Sequence, residues 1–224
     1  MKMTNDIQMH NERPAGGSSK PHVSSSTVFN EDCMTVMARY PDKFFDLAIV
    51  DPPYGIDRNG MEMGNSVFNK DEKEWDKSVP SKEYFNELFR VSKNQIIWGG
   101  NYFELPVSRY FAIWDKGETM YGRDFAECEF AWVRSGGTRI YKKNPNQPER
   151  IHPTQKPIAL YDWIILNYGN DANLILDTHL GSGSSRIACH KNGKQFVGCE
   201  IDTEYFAAQE ARFKEFTSQL RLFG

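Results

Sequence analysis

The chain has no CxxC pair and no cysteine cluster: Cys33, Cys128, Cys189 and Cys199 are scattered along 224 residues. That spacing argues against a structural zinc site and offers no disulfide framework, so a reduced, cytoplasmic setting is expected, with no metal. No apolar run approaches the roughly 20 residues of a membrane span. The N-terminus shows no apolar h-region, so no secretory signal is expected. A basic excess is also lacking. The net charge is −3, which counts against a nucleic-acid partner unless the positive charge is local. It is local in one place: residues 134–150 hold Arg134, Arg139, Lys142, Lys143 and Arg150 against only Glu149, a local balance of +4. Composition alone reads that stretch equally well as a solvated loop.

What is present is ordinary globular material, 39% hydrophobic and 25% charged, enough for one domain with a sizeable core. Residues 1–26 are polar and rich in Ser, Asn, Gly and Pro, and read as a disordered tail. A single domain is expected over 27–224. A short strand is expected at Val28–Asn30, a helical turn or two at Asp32–Tyr40, and a buried strand at Phe45–Val50, where the run FDLAIV ends on two prolines. Residues 55–80 form a long polar loop, and loops of that length are functional or disordered. Ser81 caps a helix carrying Tyr84, Phe85, Leu88 and Phe89. Strands follow at Asn94–Trp98, Tyr110–Trp114 and Cys128–Val133, the last two as a hairpin with a long connection. Thr154–Asn167 contains an amphipathic helix with Pro157 in its first turn. Strand Leu174–Leu176, helix Ser185–Asn192, strand Gln195–Cys199 and a charged helix capped near Thr203 complete the chain. Strands alternating with helices predict an α/β fold with a largely parallel sheet and helices on both faces.

Two segments carry chemistry. Gly181-Ser182-Gly183 follows a strand and opens a helix, where glycines permit a tight turn and close backbone approach to a ligand. A plain strand–helix turn would read the same way. Glu200, at the end of the next strand, adds an acceptor for ribose hydroxyls, so the pair suggests an adenosine-containing cofactor. Arg at position 186 breaks the dinucleotide fingerprint and argues against NAD. Asp51-Pro52-Pro53-Tyr54 sits at the C-terminal end of the buried FDLAIV strand, where open α/β sheets hold ligands. The prolines remove two N–H donors and leave carbonyls, Asp51 adds an acceptor and Tyr54 a flat face. That set suits a planar group bearing an NH₂.

With these motifs the chain resembles the amino-methyltransferases that make N6-methyladenine or N4-methylcytosine in DNA. Asp51-Pro52-Pro53-Tyr54 matches their [D/N/S]-P-P-[Y/F/W] tetrad. Asp177-Thr178-His179-Leu180-Gly181-Ser182-Gly183 resembles their D-P-F-x-G-[S/T]-G cofactor motif, with Thr178 and His179 replacing Pro and Phe. His152-Pro153-Thr154-Gln155-Lys156-Pro157 resembles their H-P-T-x-K-P element near the methionine end of the cofactor. The tetrad precedes the cofactor motif, as in the β class, which implies a circularly permuted, Rossmann-like methyltransferase sheet. In that order Leu174–Asp177 is the first strand, Gln195–Glu200 the second and the strand near Val28 the third.

The resemblance implies S-adenosylmethionine as cofactor, bound by Asp32, Cys33, Asp51, Lys156, Asp177, His179, Leu180, Gly181, Ser182, Gly183, Glu200 and Ile201. It implies catalysis by Asp51, Pro52, Pro53 and Tyr54 on a base flipped from double-stranded DNA, with Arg134, Arg139, Lys142, Lys143 and Arg150 on the nucleic acid. The 55–80 loop, with Trp75, would close over the site or the DNA. The recognition insert, 134–150, is short, so either the target is short or a partner or second subunit helps; the resemblance, to a family whose members often dimerise, implies a homodimer. A cytoplasmic enzyme, bacterial or phage-encoded, follows from the same resemblance. Asp51 favours adenine N6 as the target. The alternatives are cytosine N4, a protein glutamine amide, and an inactive DNA-binding regulator, the last raised by Thr178-His179.

Overall fold

The computed structural model describes residues 25–55, 79–124, 126–146, 150–152 and 154–220. The expected N-terminal tail, apart from its last residues, and nearly all of the 55–80 loop, Trp75 included, lie outside the described residues. Strands β1 (Ser26–Phe29), β2 (Phe45–Val50), β3 (Ser92–Trp98), β4 (Tyr110–Asp115), β5 (Cys128–Val133), β6 (Arg139–Lys142), β7 (Leu174–Asp177) and β8 (Gln195–Cys199) join in one sheet. Its order is β1-β8-β7-β2-β3-β5-β4-β6. Every pairing is parallel except those of β5, which runs against both β3 and β4. The helices are α1 (Cys33–Met37), α2 (Lys82–Val91), α3 (Ile158–Tyr168), α4 (Ser184–Lys191) and α5 (Thr203–Leu220).

The central strands carry apolar residues on both faces because both faces are covered. Leu47, Ile49, Ile96, Trp98, Ile175 and Phe196 pack under Leu160, Tyr161, Ile164 and Ile165 of α3 and Ala188 and Cys189 of α4. Ala48, Val50, Ile97, Leu176, Val197 and Cys199 face the other way, onto Val36 and Met37 of α1 and Tyr84, Phe85, Leu88 and Val91 of α2. The alternation of pleated strands sorts neighbouring residues into these two layers. The permuted order holds: β7, β8 and β1 lie side by side in the order expected of first, second and third strands.

Two expectations need correction. Residues 134–150 are not a plain loop, since Arg139–Lys142 forms β6 at the sheet edge, parallel to β4. The cap of α5 is Asp202, not Thr203: the Asp202 Oδ1 accepts the backbone N–H of Glu204 at 2.9 Å and of Tyr205 at 3.1 Å, as an N-cap side chain does.

From β7 the chain crosses through α4 to β8 on one side. From β2 it crosses through α2 to β3 on the other. The β7–β2 pair is therefore the point where strand order reverses, and the crevice beyond the carboxyl ends of such a pair is where ligands bind. Asp177 ends β7 and Asp51 follows β2 directly.

Candidate active site

Asp51 is held from two directions. The Tyr54 hydroxyl donates to its Oδ1 at 2.6 Å, and the Lys156 ammonium pairs with its Oδ2. Pro52 is buried beside it. Tyr54 stacks on Tyr102, with centroids 5.0 Å apart and planes 17° off parallel. Tyr102 is itself 45% exposed. The tetrad tyrosine is thus not an open platform, as the sequence suggested: Tyr102 lies against one face of its ring. Gly99 makes room for the ring, and a Cβ there would stand 2.2 Å from Tyr54 Cε1.

Lys156 is buried against the tetrad, 4% exposed. Besides Asp51 it reaches Glu129 Oε2 at 3.1 Å and the Tyr54 hydroxyl at 3.3 Å, and its Nζ lies 5.2 Å from the Trp98 ring. Glu129 in turn meets Lys116 at 2.9 Å. Burial would raise the Glu129 carboxyl, but Lys156 and Lys116 outweigh it and hold the group at about 2. Burial opposes the charge on Lys156, yet Asp51 and Glu129 keep its pKa above the usual lysine range. Neither Glu129 nor Lys116 stands out in the sequence as a site residue. Glu129 sits in an apolar strand, CEFAWV, and an acid in such a run is the one available signal.

The cofactor-type loop turns at Gly181 (φ +49°) and Gly183 (φ +70°), left-handed conformations that favour glycine. The Gly181 N–H donates to Glu200 Oε2 at 2.8 Å, and Asp202 N–H to its Oε1 at 2.9 Å. Asp177 accepts from the His179 N–H at 3.0 Å and the Ser185 hydroxyl at 2.5 Å. Burial first, then the charges of Asp51 and Glu200, push the Asp177 carboxyl up to about 7 against those hydrogen bonds. Leu180 and Ser182 are buried.

The Thr178-His179 departure is absorbed by α2. The buried Tyr84 hydroxyl shares a 2.6 Å hydrogen bond with Thr178 Oγ1, which shares a 3.0 Å bond with His179 Nδ1. Tyr84 also packs edge-on to the imidazole, 5.4 Å between centroids. Burial pushes His179 down to about 4, so it is neutral at ordinary pH. Asp32 caps α1 by accepting from Met34 and Thr35 N–H, and its charge is felt at His179 and Cys33. Burial, then Asp32, raises the Cys33 thiol to about 11, with a smaller push from Glu200. Ile201, next to Glu200, is 62% exposed.

One loop bridges the two motifs. His152 packs edge-on to Tyr205 at 4.3 Å between centroids and lies beside Gly181, while Lys156, a few residues on, reaches Asp51. The basic residues, by contrast, are split. The Arg134 N–H donates to Gln95 O at 3.0 Å near the start of β3, and its guanidinium lies 6.0 Å over Phe89. Arg139 opens β6 opposite Ala112, whereas Lys142 closes it opposite Asp115. Since β4 and β6 run with β3, Lys142 and Lys143 lie at the tetrad end of the sheet. Arg134 and Arg139 lie at the far end, so the five basic residues are not one surface. Lys142 pairs with Glu118, and Arg150 is exposed. Among the described residues no group of His, Cys, Asp or Glu could hold a metal ion, and no helix is long and apolar enough to cross a membrane.

The fold is shared with solved structures that include an S-adenosylmethionine complex and a DNA methyltransferase. The sheet superposes on the M1.HpyAVI–SAM complex with a TM-score of 0.55 at 20% identity, covering 84% of this chain and 99% of that one. It superposes on PvuII DNA methyltransferase (cytosine-N4-specific) with a TM-score of 0.56 at 11% identity, covering 90% and 94%. Residues 104–211 match the N6/N4 methyltransferase family profile, described as DNA methylase. The sequence is 24% identical to the putative methylase YubD of Escherichia coli (strain K12), over 84% of this chain and 89% of the relative. It is 22% identical to the type II methyltransferase M2.MboI of Moraxella bovis, over 90% and 94%. The chain is thus similar, in fold and in sequence, to DNA amino-methyltransferases.

Proposed function

We propose that the chain is a DNA methyltransferase that moves a methyl group from S-adenosylmethionine to the N6 amino group of an adenine swung out of the duplex. The observation that carries this reading is the meeting, at the β7–β2 reversal, of an acceptor-rich tetrad with a glycine loop under one bridging segment.

The residues present suit the cofactor. The crevice is acidic, with Asp51 and Glu200 both acting on the buried Asp177, and a ligand bearing a sulfonium and an ammonium would neutralise it. Glu200 would take the ribose hydroxyls, since each carboxylate oxygen keeps an acceptor site beyond the N–H it already holds. Ile201 would cover the adenine, with Asp32, Cys33 and His179 beside it. Asp177, Leu180, Gly181, Ser182 and Gly183 would cradle the methionine end. Bound there, S-adenosylmethionine supplies an electrophilic methyl group on a positively charged sulfur.

The protein's part is to make a poor nucleophile attack. The lone pair of an exocyclic amine is delocalised into its ring. Asp51 and the Pro52 carbonyl would accept its two protons and favour a pyramidal nitrogen with the lone pair free. Positive charge then grows on that nitrogen, and the Asp51 carboxylate stabilises it. The target atom is out of reach inside a duplex, so the base must leave the stack. Tyr54 offers it a partner once Tyr102 swings aside, and base–aromatic stacking contributes about 1–3 kcal/mol. Lys142, Lys143 and Arg150 would contact phosphates at the tetrad end.

Adenine rather than cytosine rests on Asp51 at the first tetrad position. Unmethylated DNA is incubated with the protein and S-adenosylmethionine, and nucleosides are resolved by mass spectrometry. N6-methyladenine is expected, and Asp51→Ala should lower it at least a hundredfold, on the order of losing a main electrostatic contact. N4-methylcytosine would overturn the adenine assignment. No product beyond that of Asp51→Ala would overturn the enzyme.

A further inference from the structure

The tetrad carries an apparent contradiction. Positive charge is to develop beside Asp51, yet a buried lysine already sits on that carboxylate. A lone Lys156 would repel the growing charge and cancel much of the field of Asp51. The structure shows what offsets it. Glu129 Oε2 lies 3.1 Å from Lys156 Nζ, and Glu129 Oε1 lies 2.9 Å from Lys116. The order is Asp51, Lys156, Glu129, Lys116, with signs alternating along the line. Lys156 is 4% and Glu129 20% exposed on their side chains, so water screens the chain little. Glu129 reaches Lys156 because β5 lies beside β3, with Trp98 opposite Ala131, which brings the Cys128 end of β5 to the tetrad end of the sheet.

We propose that Glu129 is a positioning residue for methyl transfer: it neutralises Lys156, so that Lys156 can orient the Asp51 carboxylate without repelling the cationic nitrogen forming beside it. This rests on the methyltransferase reading above and adds to it a residue that never touches the substrate. Lys156 has two jobs here, a hydrogen-bond donor to Asp51 and a fixed charge. Only the second needs Glu129.

The test compares wild type with Glu129→Gln and Glu129→Asp by steady-state kinetics on DNA across pH 6–10, with cofactor affinity by calorimetry. Glu129→Gln should lower kcat about 10- to 100-fold, less than the roughly 100- to 1000-fold of losing a preorganised contact to the reacting atoms, because Glu129 acts through Lys156. KM for DNA and cofactor Kd should stay within about twofold, because a positioning effect on the transition state spares ground-state binding. With one counter-charge gone, the buried Lys156 should lose its proton at lower pH; the neutral amine still donates to Asp51 but no longer repels the cationic nitrogen, so kcat of Glu129→Gln should climb toward wild type along an alkaline limb that wild type lacks. Glu129→Asp keeps the charge and the fold at shorter reach, and should lose less than tenfold without that limb. A Glu129→Gln profile superimposable on wild type overturns the proposal. So does an equal loss in the Asp and Gln variants.

A second readout does not need activity. In protein carrying ¹³C-labelled lysine, the signal lost in Lys156→Arg identifies Lys156, and its titration is followed in wild type and in whichever Glu129 variants fold. It should move to lower pH in Glu129→Gln; an unchanged titration overturns the proposal. Absence of methyl transfer by wild type would instead overturn the parent reading.

Discussion

Asp177 shows how burial and charge at one residue become a measurable linkage. Its carboxyl titrates at about 7, mainly because burial disfavours the anion. A group whose folded pKa lies above its unfolded value contributes stability that is fully present below the unfolded pKa and is lost as pH rises through the folded one. The free protein should therefore lose stability between about pH 4 and 7 from this residue. A cationic ligand favours the carboxylate, so binding S-adenosylmethionine at pH 6 should expel a proton. Affinity should climb with pH toward 7, by at most about tenfold per unit. Calorimetry at pH 6 in two buffers of different ionisation enthalpy reads this directly: the apparent enthalpies should differ for wild type and agree for Asp177→Asn. Equal wild-type enthalpies would refute the linkage.

Gly99 makes a second prediction at this scale. It has φ +69°, and a Cβ there would overlap the Tyr54 ring. Gly99→Ala should cost about 1–3 kcal/mol in urea unfolding and depress methylation by displacing Tyr54; a variant of wild-type stability and activity would show that the ring has room to move. Nothing in the sequence around Gly99, which directly follows the strand ending at Trp98, points to that contact. Residues whose role is local were legible: Asp51 by its prolines, Gly181 and Gly183 by their turn, Glu200 by its distance from the loop. Residues whose role depends on a distant partner were not. Thr178 and His179 read as a defect in a motif because Tyr84, which completes their hydrogen-bond chain, is 94 residues away. Nothing local tied Lys156 to Asp51, 105 positions earlier.

Among the elements, apolar runs announced themselves. Phe45–Val50 and Gln195–Cys199 form strands at the expected bounds, since burial on both faces makes a strand a continuous hydrophobic word. β6 did not, because an edge strand needs no buried face: its residues, Arg-Ile-Tyr-Lys, are mostly exposed, so periodicity had nothing to report. α5 shows a subtler miss. Arg186, which in the sequence only spoiled a dinucleotide fingerprint, anchors this helix. Its guanidinium lies 3.8 Å from the Phe213 ring centroid and bonds Gln209 at 2.9 Å and Glu210. The helix is also fixed at its start by Asp202. Asp202→Ala should destabilise the protein by about 1 kcal/mol, the usual worth of a side-chain N-cap, seen as a lower urea midpoint at constant m. No change in midpoint would mean that the Arg186 anchor alone determines the start of α5.

At the scale of the whole molecule, the sheet polarity decides where a duplex can lie. Ligand crevices open at the carboxyl ends of the parallel strands, and Lys142 and Lys143 end up there because β6 runs parallel to β4. Arg134 and Arg139 are carried to the opposite end by the same connectivity. Net charge could not reveal this division, for it counts the five residues as one patch. It has a thermodynamic consequence. Each phosphate neutralised on a duplex releases counterions and steepens the fall of affinity with salt by about 0.9 on a log–log plot. Lys142 pairs with Glu118 on the surface, but such exposed pairs are weak and give way readily. Replacing Lys142 and Lys143 together by Gln should therefore weaken DNA binding at every sequence and flatten the salt slope by up to about 2. Replacing Arg134 and Arg139 by Gln removes the same charge from the chain and should leave the slope unchanged. Fluorescence anisotropy of a labelled duplex at several salt concentrations separates the two. Equal losses from both pairs would mean that net charge, not its position at the tetrad end, governs the encounter, and that the duplex does not lie across the carboxyl ends of the strands.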